Sequence, residues 1–161
     1  MTIRPADPDK DFDSVWEIFQ KVISTGDTYV FTRDTSREDL IKHWFAPGMN
    51  TFVVETGGSI AGTYILKPNQ IGLGDHIANA SYMVHPDYRG QGIGRRMGEH
   101  SIHFARQQGF RGIQFNLVVS TNTAAIRLWH QLGWKTVGTI PGGFRHATLG
   151  YVDTLIMYRK V

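Results

Sequence analysis

Residues 79 to 98, N-A-S-Y-M-V-H-P-D-Y-R-G-Q-G-I-G-R-R-M-G, constrain this chain more than any other stretch. A strand-like run from Ile77 to Val84 meets His85-Pro86-Asp87, where proline ends sheet pairing. Glycines at 90, 92 and 94 then lead into a helix. Strand, glycine turn and helix N-terminus thus follow one another directly. Glycine lets a backbone approach a ligand closely, and the first-turn N–H groups of a helix lack internal partners. The helix dipole also favours negative charge there, so the turn suits a phosphate or pyrophosphate. A plain tight turn before a helix is the competing reading. The spacing excludes a P-loop, because Arg95 and Arg96 follow the last glycine where Lys-Ser or Lys-Thr would be needed. It argues against a Rossmann turn, whose G-x-G-x-x-G sits near the start of a βαβ unit with an acidic residue about twenty positions on.

The rest of the chain reads as an α+β pattern, β-α-α-β-β-β-α-β-α-β-β, with no internal repeat. Thr2 to Arg4 is a short strand and Pro5 to Lys10 a turn. Phe12, Val15, Trp16, Phe19, Val22 and Ile23 recur at helical spacing over 11–24, which makes Trp16 and Phe19 core residues. The loop Thr25 to Phe31 carries Tyr29 and Phe31, which either overhang a ligand or pack inward. Ser36 with Asp39 forms a capping-box pattern for a helix to Phe45, with Leu40, Ile41, Trp44 and Phe45 facing in. Thr51 to Glu55 and Ile60 to Lys67 form a hairpin through Gly57-Gly58. A helix over 93–108 presents Arg95, Arg96, Glu99, His103 and Arg106 outward. Gly94, Gly98, Ser101 and Ala105 lie on one side, where small residues let it sit close on the sheet. Ile113 to Val119 is the next strand, and a helix from Asn122 carries Ala125, Ile126, Trp129 and Leu132. Strands Trp134 to Ile140 and Tyr151 to Tyr158 then flank a loop from Pro141 to Gly150.

Composition narrows the chemistry. At 161 residues with 41% hydrophobic content, one domain over 1–161 is the economical expectation. No long apolar run or signal-like segment appears, so a cytoplasmic setting without a membrane is expected. The chain has no cysteine, which excludes an acyl-cysteine intermediate and favours direct group transfer. Net charge +3 and a pI near 9.3 favour an anionic partner. The absence of a long basic run argues against nucleic acid. No spaced His/Asp/Glu set suggests a metal.

Arg89-Gly90-Gln91-Gly92-Ile93-Gly94 resembles the pyrophosphate loop R/Q-x-x-G-x-G/A of the GCN5-related N-acetyltransferase (GNAT) superfamily. Asn122-Thr123-Ala124-Ala125-Ile126-Arg127-Leu128-Trp129-His130-Gln131-Leu132-Gly133-Trp134 resembles that superfamily's second cofactor-contacting helix. The resemblance implies a mixed sheet of about seven strands flanked by four helices, with strands 77–84 and 113–119 splayed apart. It implies acetyl-CoA as acyl donor and a small-molecule amine as acceptor, with a homodimer as one assembly it admits. Cofactor contacts then fall on main-chain groups of Met83 and Val84, on Arg89, Gly90, Gln91, Gly92, Ile93, Gly94 and Arg95, and on Asn122. Arg89, Arg95 and Arg96 are the candidate side-chain phosphate partners. Val84 N–H would polarise the thioester carbonyl. Trp129 stands where many members carry a tyrosine thought to protonate the leaving thiolate. A thiol with a pKa of about 8.5, by analogy with cysteine, leaves tolerably without that acid.

A narrower resemblance runs from about Thr25 to Gly138. T-G-D-T-Y, H-W-F, G-T-Y-I-L-K-P-N, N-A-S-Y-M-V, Y-R-G-Q-G-I-G, F-N-L-V, T-N-T-A and I-R-L-W are similar to the fungal N-acetyltransferases of proline analogues such as azetidine-2-carboxylate. It implies substrate binding by Asn79, Asn116 and the Leu117 main chain, with Asn122 needed for turnover. The alternative acceptors are phosphinothricin-type, aminoglycoside or protein amines, and the alternative class is a non-catalytic acyl-CoA-binding domain. Asparagine is disfavoured in apolar strands, so Asn79 and Asn116 each need a partner, either ligand or backbone. Arg145 and His146 face either an anionic substrate or solvent, Tyr82 and Tyr88 pack on cofactor or core, and His85 and His130 read as structural.

Overall fold

The computed structural model describes residues 1–161. Its elements are β1 (Thr2–Pro5), α1 (Pro8–Ile23), α2 (Arg37–Trp44), β2 (Asn50–Thr56), β3 (Ser59–Pro68), β4 (Ile77–Val84), α3 (Ile93–Gln107), β5 (Gly112–Val119), α4 (Thr123–Gln131), β6 (Lys135–His146) and β7 (Gly150–Lys160). One seven-stranded sheet runs β1-β2-β3-β4-β5-β7-β6. Only β4 and β5 pair in parallel; every other neighbouring pair is antiparallel. The α+β expectation of a mixed sheet with four helices therefore holds.

Period-2 alternation divides the core into two layers. On one face α1 and α2 bury Val15, Ile18, Phe19, Leu40 and Trp44 against Val53, Ile65 and Met83. On the other, α3 and α4 bury Ile93, Met97, Ile102 and Trp129 against Tyr64, Ala78, Ala80, Ile113 and Phe115. No helix is long and apolar enough to cross a membrane.

Four local expectations are corrected. Helix α1 starts at Pro8, not residue 11, because Asp7 caps it by accepting from Asp9 N–H and Pro8 fits the first turn. Ile41 is exposed, since α2 is short and buries only Leu40 and Trp44. Gly94 and Gly98 face α4 rather than the sheet: a Cβ there would stand 3.2 Å from Leu128 and 2.6 Å from Leu132. Finally, Pro141 to His146 belongs to β6 and not to a loop. Register shifts between Ile140 and Phe144 absorb the Pro-Gly-Gly sequence, and β6 is an edge strand, where proline's missing N–H costs no ladder bond.

Next to the corrected helix start, Asp11 is buried and accepts from both terminal nitrogens of the Arg4 guanidinium at 2.6 and 2.9 Å, together with Asp7 N–H at 2.8 Å. The Arg4 guanidinium holds the Asp11 carboxyl below its ordinary range. Because the folded pKa is depressed, this stabilisation is present above the unfolded value of about 3.9 and is lost as pH falls through the folded one. Asp11→Asn should cost about 1.5–3 kcal/mol in urea unfolding at pH 7. The variant's deficit should narrow as pH drops below about 4; a deficit independent of pH would contradict this role.

Candidate functional site

The parallel pair β4·β5 holds together only at Ile77–Gly112, Ala78–Ile113 and Asn79–Gln114. Beyond Asn79 the strands part. β5 turns aside at a bulge: Phe115 lies opposite Met157 and Val118 opposite Leu155, so Asn116 and Leu117 share the place of one residue.

The β3·β4 register decides which β4 main-chain groups face the gap. His85 N–H donates to Ala61 C=O, and His76 C=O accepts from Arg111 N–H. Alternation along an antiparallel ladder then turns the Ser81 and Met83 main chain toward β3, and the Ala80, Tyr82 and Val84 main chain toward the splay. The expectation for Met83 is corrected accordingly: its side chain is in the core and its main chain is spent on β3. Tyr82 joins Val84 instead. The Tyr82 carbonyl accepts from Tyr29 O–H at 2.7 Å, so Tyr82 N–H and the Val84 main chain face the gap together with the Ala80 carbonyl.

A cleft of about 270 Å³ passes through this splay. Thr28, Tyr29, Val30 and Phe31 of the α1–α2 loop close it on one side; Asn122, Ala125 and Trp129 of α4 close it on the other. Between them lie Asn79 to Tyr82 and Phe115 to Val119. The cleft is thus open to both layers of the fold. No Asp, Glu, His, Lys or Arg lines it. Its two phenols are committed, Tyr29 to the Tyr82 carbonyl and Tyr82 to Ser101 Oγ at 2.7 Å. Ser101 itself donates to Gly98 C=O, so Tyr82 O–H is the donor. Burial pushes both phenols further up, away from neutral pH.

The three asparagines line this one cleft, each with a protein partner. Asn79 Nδ2 donates to Gln114 C=O at 2.9 Å, strapping the base of the splay. That leaves Asn79 Oδ1 free. Asn116, exposed at the rim, accepts from Gln114 Nε2 at 2.9 Å and donates to Asn69 Oδ1 at 2.7 Å. Asn122 caps α4, its Oδ1 accepting from Ala125 N–H at 3.3 Å, and its Nδ2 is free. Leu117 sits in the β5 bulge. Trp129 packs at centroid distances of 4.7 Å from Tyr82, 4.9 Å from Phe115 and 5.5 Å from Trp134.

Past Val84 the glycine loop takes an open form. Gly90 and Gly92 both have φ of 77°, a region L side chains rarely enter, and a Cβ on either would meet nothing within 4 Å. The first α3 bond is Arg96 N–H to Gly92 C=O, and no main-chain N–H from Gly90 to Arg95 donates within the protein. Buried Ile93 pins this run to the core. Successive free N–H groups at a helix start form an anion cradle, and their number fits a pyrophosphate. Arg95 is tied to Gln131 at 2.6 Å, whereas Arg89 and Arg96 make no ion pair.

The remaining candidates lie elsewhere. His85 is buried beside Lys21 and Glu17 and accepts from Asp87 N–H; His130 Nδ1 donates to Trp134 C=O. Arg145 is exposed on β6. His146 Nδ1 accepts from Thr148 and Leu149 N–H, holding the β6–β7 turn. Ala147 N–H in turn bonds to Gly26 C=O, which ties that turn to the α1–α2 loop. No three His, Cys, Asp or Glu side chains cluster. Sequence reasoning missed Ser81 and Thr28 in the cleft, although β4 alternation already puts Ser81 on the face of Asn79.

The model of the acetyltransferase (GNAT) family matches residues 13–134. The N-acetyltransferase aca1 of Schizosaccharomyces pombe is 38% identical over 112 residues, which cover 69% of this chain and 54% of aca1; the chain thus spans about half that relative. A GCN5-related N-acetyltransferase from Kribbella flavida superposes with a TM-score of 0.94 at 38% identity, covering 99% of this chain and 97% of its own. The structure of yncA from Salmonella typhimurium with its cofactor acetyl-CoA superposes with a TM-score of 0.86 at 25% identity over 99% and 93% of the two chains.

Proposed function

The chain belongs to the acetyltransferase (GNAT) family, whose members use acetyl-CoA, and on that premise we propose that it transfers acetyl directly to the nitrogen of a small amino or imino acid or a toxic analogue of one. The observation that carries this reading is the through-going, uncharged cleft at the β4–β5 splay. Acetyl-CoA supplies the activated acetyl group when bound. The free N–H run from Gly90 to Arg95 would hold its pyrophosphate, with Arg89 and Arg96 free to add charge. Tyr82 N–H and the Val84 main chain would pair with its pantetheine arm and polarise its carbonyl. Asn122 Nδ2, turned loose by the cap its Oδ1 makes, is a further donor at the α4 side.

The acceptor would enter from the α1–α2 loop side, between Tyr29 and Asn79. Asn116 at the rim and the Leu117 main chain in the bulge supply neutral donors for a carboxylate. A polycation would want clustered carboxylates, and the cleft has none. Its size and neutrality therefore support a small acceptor over an aminoglycoside or a lysine-bearing protein. We further take the chain as a single cytoplasmic domain; a homodimer would show as a doubled mass by light scattering.

Thiol release from acetyl-CoA, compared among azetidine-2-carboxylate, proline, phosphinothricin, an aminoglycoside and a lysine peptide, tests the acceptor. The first three should lead. Preference for either of the last two would discard the amino-acid reading while keeping the transferase. Trp129 in place of the family tyrosine supports one rival, a non-catalytic acyl-CoA-binding domain, for which CoA would bind with no amine-dependent release. Asn79→Ala should lower kcat/KM for amino acids by the equivalent of about 1–3 kcal/mol. An unchanged kcat/KM would remove Asn79 from the site.

A further inference from the structure

Resting on the amino-acid reading above, we infer that Asn69, in the loop between β3 and β4, is a positioning residue for the acceptor: it holds Asn116 so that a carboxylate at the rim of the cleft meets N–H donors. Asn69 does not itself line the cleft. It reaches Asn116 across the base of the splay, where Asn69 Oδ1 accepts from Asn116 Nδ2 at 2.7 Å.

The rim needs such a tie because β5 has little main-chain support there. Its pairing with β4 ends at Asn79–Gln114, and the bulge sets Asn116 and Leu117 in the place of one residue opposite β7. A bulge breaks the ladder locally, so side-chain bonds direct the two residues in it. Leu117 has none to give, whereas Asn116 makes two: its Oδ1 accepts from Gln114 Nε2 at 2.9 Å, and its Nδ2 donates to Asn69. Gln114 lies two residues away on the same strand, so that bond moves with β5. Asn69 is the tie to another element, and it is anchored in turn. Proline fixes φ at position 68, which pairs with Ala78, and Asn69 N–H donates to Ile77 C=O at 2.8 Å.

The same tie decides which group Asn116 offers. A primary amide has one oxygen and two N–H groups. With the oxygen engaged by Gln114 and one N–H by Asn69, the second N–H is the donor left for a ligand, beside the Leu117 main chain in the cleft wall. A carboxylate carries only acceptor oxygens and matches that arrangement, while an amine without a carboxylate gains nothing from it. Held by Gln114 alone, the exposed Asn116 amide is free to turn, and an amide oxygen turned toward a carboxylate repels it. Asn69 thereby selects for the carboxylate of the acceptor without touching it.

The test measures binding to CoA-loaded protein by NMR titration, with azetidine-2-carboxylate and with azetidine, the same ring without the carboxylate. Asn69→Ala should weaken the first about fivefold, the value of one solvent-exposed hydrogen bond, and leave the second unmoved. In turnover the same variant should raise KM for azetidine-2-carboxylate by that factor, with kcat and CoA affinity unchanged. In an Asn116→Ala background Asn69→Ala should add nothing, because its effect runs through the Asn116 amide. Equal losses for the two ligands, no loss for either, or a loss that persists without the Asn116 amide overturns the inference and leaves the amino-acid reading intact. Native protein that binds the two ligands equally well overturns the amino-acid reading and this inference with it. If the ligands bind but no amide forms with any acceptor, the transfer reading fails, and the binding ratios still decide the role of Asn69.

Discussion

Trp129→Ala should destabilise the protein by about 3–5 kcal/mol, the cost of removing a buried large aromatic side chain, and lower the melting temperature by roughly 10 °C. Trp129 is 7% exposed and packs against Tyr82, Phe115 and Trp134. Those three rings belong to β4, to β5 and to the residue just before β6, so this one side chain links both strands of the splay to the entry of the last hairpin. The vacated volume would open into the cleft, so acceptor KM should rise as well. Trp129→Tyr retains a ring in the stack and introduces the family's hydroxyl. It should destabilise less and leave turnover within a few-fold, because a cysteine-like thiol departs without an acid. Denaturant unfolding together with steady-state kinetics checks both variants. A Trp129→Tyr enzyme that turned over a hundredfold faster would mean that thiolate protonation limits the native protein.

Gly92→Val should weaken CoA binding at least a hundredfold while the fold survives. The position has φ of 77°, and a Cβ would point into open space; the direct cost is backbone strain of about 1–2 kcal/mol. Relaxing that strain would rotate the neighbouring N–H groups out of the cradle. Hydrogen bonds to a charged group are worth about 1.5–3 kcal/mol each, so losing two accounts for the hundredfold. Gln91→Ala, one residue away, keeps the main chain and should bind CoA within a few-fold of the native protein. Isothermal titration against CoA measures the difference. Equal affinities for Gly92→Val and Gln91→Ala in folded protein would show that the turn is only structural.

The site's main-chain half was legible from residues 77 to 94 because glycine spacing and proline position are local signals. The Ser36/Asp39 capping box and the Gly57-Gly58 hairpin were legible for the same reason, and both form. What escaped depends on pairing. The β5 bulge is invisible in F-N-L-V, which reads as one continuous strand with a single polar residue. Met83 and Val84 could not be told apart until the β3 register assigned alternate main-chain groups to the gap. Asn79 turned out to strap Gln114 as well as line the cleft, a double use that spacing alone cannot reveal. The Pro141–Gly143 segment misled because turn residues also mark bulges in edge strands.

One cleft, with acetyl-CoA on the α3–α4 side and an amine on the α1–α2 side, is the central claim, and amide exchange of the protein with each ligand in turn tests it most directly. Acetyl-CoA should protect the N–H groups of Gly90 to Arg95 together with those of Tyr82 and Val84. The acceptor, added to CoA-loaded protein, should perturb Asn79, Ser81 and Leu117 and leave the glycine loop alone. Protection of the loop without Tyr82 and Val84, or an acceptor footprint away from the splay, would contradict it.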